Sequence, residues 1–245
     1  CCKSGRYAIK NEKGYTKITY TPDFKRFELN NYTSDIISIY KRLLLDSAMI
    51  TKTPIYFNDV LLPVSSLTEY ASLYSNEEKP QLLIKTNNCE VLVTESNEYE
   101  AISFANGIYT PLGGVHVEPW VEALFRPLLQ KLNKKNKPQL TIKDIKQFFR
   151  LFVIATVIKP DFDHQTKTKL ESPSVIAEVK KSHISTLSSW SVFDKLEDMI
   201  RNKELSVLKK SERKRNYIKI DSLDSANNEG GPRSTECTLI LVEGL

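Results

Sequence analysis

The run LFVIATVI at residues 151–158 constrains this chain most, because eight residues broken only by one threonine leave no polar side for water. A run of that length and composition predicts a strand buried on both faces of a covered sheet. Lys159-Pro160 follows it directly, and proline, with a fixed φ and no N–H, ends such a strand. The next residues, KPDFDHQTKTKL at 159–170, are polar. They predict a loop held at the end of a rigid element, a common place for functional side chains. Lys167 then offers a point charge suited to a phosphate. A solvated loop lysine is the plain alternative, because most surface charges serve only solubility.

Along the rest of the chain the pattern alternates between strand-like and helical periods, which predicts an α/β or α+β class. Residues 15–20, YTKITY, read as a strand. After Thr33 and Ser34, candidate N-caps, Ile36, Ile39, Tyr40, Leu43 and Leu44 recur at helical spacing, predicting a helix with its apolar stripe on a sheet. Asn58-Asp59 between two short apolar pairs predicts a hairpin, and Ser66 with Glu69 has capping-box spacing for a short helix. The polar stretch SNEEKP at 75–80 marks a domain boundary. A second hairpin is expected over 81–93 and a strand over 100–105.

Gly113-Gly114 stands directly before a helical pattern formed by Val117, Val121, Leu124, Leu128 and Leu132. Two glycines there permit a close backbone approach, and the helix start offers a place for an anion. Pro127 falls inside that pattern and predicts a kink or a division. Thr141 predicts the cap of a helix running to Phe149. Val192, Leu196, Met199, Ile200, Val207 and Leu208 define a long amphipathic helix. Residues 221–233 read as a polar linker, and TLILV at 238–242 as a buried strand that delivers Glu243 at its end.

The net charge of +5 in 245 residues is mild but concentrated. One basic cluster is Lys134, Lys135 and Lys137; the other is Lys209, Lys210, Arg213, Lys214 and Arg215. Either can meet an anionic polymer through its phosphates, or simply solubilise a turn and complement a helix dipole. Four cysteines without metal-ligand spacing fit a reducing compartment. Neither a signal peptide nor a long apolar run is present, so no membrane contact is expected. P-loop, HExxH and G-x-S-x-G patterns are also missing from the sequence. His116, His164 and His183 are too scattered for a metal site, and His116 reads as a structural hydrogen-bonder.

Four stretches taken in order, ISFANGIYTPLGGVHV (102–117), KKNK (134–137), PDFDHQTK (160–167) and LDSANNEGGPRSTECTLILVEG (223–244), resemble the ATPase-to-core connection of eukaryotic-type type II DNA topoisomerases. The divergence implies a distant lineage, such as a large cytoplasmic DNA virus of asfarvirus type. That origin places the protein in the host cytoplasm; a cellular origin places it in the nucleus. The resemblance implies three parts. Residues 1–80 would end a GHKL-type ATP-binding domain. Residues 81–215 would form a ribosomal-protein-S5-like transducer with a long final helix. Residues 216–245 would be a linker and the first strand of TOPRIM.

It also implies roles. Lys167 and Gln165, with Thr166 between them, would contact the γ-phosphate of ATP. Lys134, Lys135 and Lys137 would face double-stranded DNA, and Glu243 would work with magnesium at the cleavage centre. The whole enzyme would be a homodimer.

Some family elements are missing from these 245 residues: the catalytic glutamate, the magnesium-binding asparagine, the glycine-rich lid, the later TOPRIM aspartates and the DNA-cleaving tyrosine. Leu245 also stands where the family has aspartate. A segment of a longer protein, inactive by itself and mobile in its nucleotide-free Lys167 loop, is therefore expected. Two other readings stay open here: the transducer of a mismatch-repair or chaperone GHKL ATPase, and a non-enzymatic basic DNA-binding module.

Overall fold

A computed structural model describes residues 14–75, 77–133, 140–215 and 224–243, with side chains of the last helix described as far as Ser206. The chain divides into two compact units, one ending at Ser66 and the next beginning at Leu67.

The first unit is built on helix α1, Ser34–Thr51, whose start is capped by the Thr33 hydroxyl accepting from the Ile36 amide. Lys52, in the left-handed region at φ 55°, closes it. Strands β1 (Tyr56–Phe57) and β2 (Val60–Leu61) form the expected hairpin. Asn58 and Asp59 both have positive φ, the backbone a tight two-residue hairpin requires. Two expectations fail in this unit. Residues 15–20 form no strand, and Tyr15, Ile18 and Tyr20 are exposed. On α1, Ile39, Tyr40 and Leu43 are exposed, and burial falls instead on Asp46, Ala48 and Met49. Alternation and helical spacing specify a face, but the layer that covers it must come from elsewhere in the chain.

The second unit is organised by a five-stranded mixed sheet in the order β3-β4-β7-β5-β6. Its strands are β3 (Gln81–Lys85), β4 (Cys89–Glu95), β5 (Glu100–Ala105), β6 (Ile108–Tyr109) and β7 (Phe149–Ala155). β7 is central, antiparallel to β4 and parallel to β5. Parallel neighbours need a crossover, supplied by helices α3 (Glu118–Leu132) and α4 (Ile142–Lys146).

One face of β7 presents Phe149, Leu151 and Val153 to the helix layer, in a core with Trp120, Leu124 and Leu128 of α3. Helices α5 (Lys181–Ser188) and α6 (Val192–Arg215) complete that layer through Leu187, Leu196 and Ile200. On the opposite face, Phe152 meets Tyr70 and Tyr74, at or just beyond helix α2 (Leu67–Ser72), at ring separations of 6.2 and 5.2 Å. Arg150 ties this second layer down. Its Nη1 donates to the Tyr74 carbonyl at 2.7 Å, and its Nε lies 2.8 Å from Glu100 Oε2 as an ionic contact.

The sheet is thus covered on both sides, as the apolar run required. Its boundaries differ from expectation, however. The central strand starts at Phe149 and stops at Ala155, and Ile158 is exposed. Helix α4 accordingly ends at Lys146, because pairing with β4 and β5 claims residues that helical spacing would have continued. Pro127 does not divide α3, which runs unbroken to Leu132. Residues 238–242 form no strand, and Leu239, Ile240, Leu241 and Val242 are exposed. Strand composition does not by itself supply a pairing partner, and this segment pairs with no described strand.

Candidate phosphate-contact loop

Beyond Ala155 the chain leaves the sheet and makes a small hairpin from β8 (Asp161–Phe162) and β9 (Leu170–Ser172). The loop between them carries Gln165, Thr166 and Lys167. Gln165 and Thr166 are exposed and Lys167 is half-buried. Lys167 adopts the left-handed region at φ 56°, and its amide donates to the His164 carbonyl at 2.9 Å. Its ammonium rests 5.7 Å from the centre of the Phe162 ring, and it forms no ion pair among the described residues. A charge held against an aromatic face is attracted only weakly where solvent reaches it, so a phosphate can draw it away.

The exit strand of this loop crosses the glycine pair. Leu170 donates to the Gly113 carbonyl at 3.1 Å and accepts from the Val115 amide at 3.0 Å, while the Leu112 amide donates to the Thr168 carbonyl at 3.0 Å. Gly114 sits at φ 133°, and a Cβ there would lie 2.1 Å from the Leu170 carbonyl oxygen. No side chain fits. The glycine is required by the crossing of two backbones, the first of the two roles its position allowed.

The anion role is not supported. The amides of Gly113, Val115, Val117 and Glu118 already donate to Thr110, Leu170 and, for the last two, Gly114. Glu100, Glu118 and Glu122 also line the adjoining cleft of about 650 Å³, against a single lysine, Lys146.

Beneath the crossing lies a buried polar cluster. Thr110 Oγ1 donates to the Ser103 carbonyl at 2.9 Å, and Ser103 Oγ donates to the Thr110 carbonyl at 2.9 Å. His116 Nε2 lies 3.2 Å from Thr110 Oγ1. With the threonine proton already committed, His116 fits as the Nε2–H donor. Its Nδ1 is buried without a partner among the described residues. Burial holds His116 well below the ordinary histidine value, at about 4, because a second proton would have no acceptor. It is a structural hydrogen-bonder, as its position indicated.

Sequence reasoning passed over Asp163. Its Oδ2 accepts from Thr168 Oγ1 at 2.5 Å and its Oδ1 from the Lys169 amide at 2.9 Å. The hydrogen bond from Thr168, together with those from backbone amides, holds this carboxyl below the usual aspartate range. These bonds span five and six positions, beyond the two-residue reach of an ordinary aspartate turn, so no local pattern marks the residue in the sequence.

The other expected residues are placed differently. Lys134, Lys135 and Lys137 lie outside the described residues, but their flanks are joined: Asn133 Nδ2 donates to the Leu140 carbonyl and Asn133 Oδ1 accepts from the Leu140 amide, at 3.0 and 2.8 Å. The side chains of Lys209, Lys210, Arg213, Lys214 and Arg215 also lie outside the description, although the α6 backbone reaches Arg215. Glu243 is exposed, and no group of three or more His, Cys, Asp or Glu side chains suited to a metal occurs among the described residues. A lone carboxylate does not fit magnesium, which is held by several oxygens in a strict geometry.

A family model described as DNA gyrase B matches residues 46–217. The chain belongs to the DNA gyrase B family of type II topoisomerases. Of the readings left open, membership decides against a mismatch-repair or chaperone transducer. Among curated relatives, DNA topoisomerase 2 of Invertebrate iridescent virus 6 is 34% identical over 253 residues, covering 96% of this chain and 22% of that protein. DNA topoisomerase 2-alpha of Homo sapiens is 31% identical over 267 residues, covering 99% and 17%. The chain therefore spans about a fifth of the length of these relatives.

The fold matches the ATPase region of Saccharomyces cerevisiae topoisomerase II with a TM-score of 0.69 at 24% identity, over 79% of this chain and 52% of that one. The fold of that ATPase region is thus present here, in the mixed α and β class the sequence led us to expect.

Proposed function

We propose that this chain is the segment of an ATP-dependent type II DNA topoisomerase that couples ATP binding and hydrolysis to passage of one DNA duplex through another, relaxing or decatenating DNA. The division into residues 1–80, 81–215 and 216–245, as the end of a GHKL domain, a transducer and the start of TOPRIM, belongs to this reading. The observation that carries it is the pairing of Lys167 with the glycine crossing. Two motifs more than fifty positions apart in the sequence meet through the backbone of Leu170, so the lysine loop is fixed to the helix layer of the sheet. A displacement at that loop has only Val115 to Val117 to cross before it meets α3.

ATP fits this loop as a phosphate ligand, because an ammonium and a neutral amide, from Lys167 and Gln165, are donors with no competing ion pair among the described residues. Bound ATP supplies the anion whose charge shifts during phosphoryl transfer. Lys167 stabilises that shifting charge, Gln165 donates beside it, and Thr166 spaces the two. Lys134, Lys135 and Lys137 contact DNA phosphates without reading bases. Glu243 joins a magnesium site only with further carboxylates from outside the described residues.

The assembly is a homodimer acting on double-stranded DNA. It works in the host cytoplasm if the source is a virus and in the nucleus if it is cellular. No helix among the described residues is long and apolar enough to cross a membrane.

The test is relaxation of supercoiled DNA by the complete enzyme with ATP, with ADP and without nucleotide. ATP-dependent relaxation is expected, together with no ATP turnover by residues 1–245 alone. Relaxation that needs no nucleotide, or robust turnover by the segment, overturns the reading.

A further inference from the structure

We propose that Asp163 is the positioning residue of the Lys167 loop, setting its turn before any phosphate arrives. This rests on the reading of Lys167 as the phosphate contact. The two carboxylate oxygens are committed to the loop's own far side, to the Thr168 hydroxyl and the Lys169 amide. The Asp163 amide in turn donates to the Lys169 carbonyl at 3.1 Å. Residues 164–167 are therefore closed into a ring of chain whose base is fixed three times by Asp163 and once more by the Leu112 to Thr168 backbone bond.

Within that ring, Lys167 is turned into the left-handed region, a backbone state a lysine keeps only when its surroundings impose it. A carboxylate repels phosphate, so Asp163 does not serve as a ligand itself. It also leaves the Lys167 ammonium alone, which stays over the Phe162 ring. Its effect is to remove the ordering cost that a mobile loop would face on binding. The geometry thus replaces the mobile loop expected from the sequence with a preset one.

Two measurements test this. In the 245-residue protein, Asp163→Ala should speed hydrogen exchange of the Lys167 and Lys169 amides roughly tenfold or more, the loss expected when a charged acceptor is removed. Exchange at Val115 and Leu170, held by the glycine crossing, should not change. Asp163→Asn keeps an acceptor oxygen and should fall between wild type and alanine. Unchanged exchange at Lys167 and Lys169, or loss of protection at Val115 and Leu170 as well, overturns the proposal.

In the complete enzyme, Asp163→Ala should raise the KM for ATP roughly tenfold alone and add little in a Lys167→Ala background, because residues acting through one another are not additive. A fully additive double variant overturns the positioning role, since general damage to the fold adds. Wild-type-like Asp163→Ala beside a defective Lys167→Ala sinks the proposal and leaves the phosphate reading intact. Wild-type-like Lys167→Ala removes both.

Discussion

His116 shows how one buried residue joins sequence to stability. Its imidazole is fully enclosed, with one nitrogen on Thr110 and the other unpartnered. The folded value of about 4 lies below the ordinary value of 6.5, so between those pH values the unfolded chain binds more protons than the folded one. Stability from this group is complete above about pH 6.5 and is lost as pH falls toward 4. The loss is on the order of 3 kcal/mol. Denaturant titrations from pH 7 to 4 should show that slope in the wild type. In His116→Leu the contribution from this site should vanish, leaving a flatter profile even if overall stability is lower. An unchanged slope would mean His116 is not the group responsible.

The sequence marked His116 as structural because it follows a turn and precedes a helix. The unpaired nitrogen was not legible, since it depends on which side chains from β5 and the following turn close around it.

Among the elements, legibility followed the source of the signal. Local chemistry placed the Asn58-Asp59 hairpin, the Thr33 and Thr141 caps and the β3-β4 hairpin, because each is specified by a few adjacent residues. Burial on both sides of the central strand was legible from composition alone. The ends of that strand were not, because pairing with β4 and β5 sets them. Residues 15–20 and 238–242 carry strand composition without a strand partner among the described residues, so their pattern states what they would bury and not whether a partner is present.

The glycine pair falls between these cases. Its sequence signals a special backbone, but only the crossing of β9 explains why the second glycine cannot change. Gly114→Ala places a methyl against the Leu170 carbonyl. It should cost the second unit about 3 kcal/mol or more, with its thermal midpoint falling by roughly 6–12 °C. A variant with wild-type Tm would mean that the crossing opens at little cost, contrary to the fixed anchorage of the loop.

At the scale of the whole molecule, the sheet and its helices act as a frame that joins the lysine loop to α3 and, through the common core, to α6. The candidate site was legible in part. Gln165, Thr166 and Lys167 could be picked out by their place after the apolar strand and by family resemblance, but the clamp by Asp163 required coordinates. Lys134, Lys135, Lys137 and Glu243 gain their proposed roles from DNA and from carboxylates that the described residues do not supply, so no local geometry could have revealed them.

The central claim is that Lys167 transmits the state of the nucleotide phosphate into this frame. It is tested most directly by ATP-driven DNA relaxation in the complete enzyme carrying Lys167→Ala, with folding checked by thermal unfolding. The account expects an unchanged fold and relaxation reduced roughly a hundredfold or more, the scale of losing one positioned charge-stabilising group. Relaxation at the wild-type rate would contradict it.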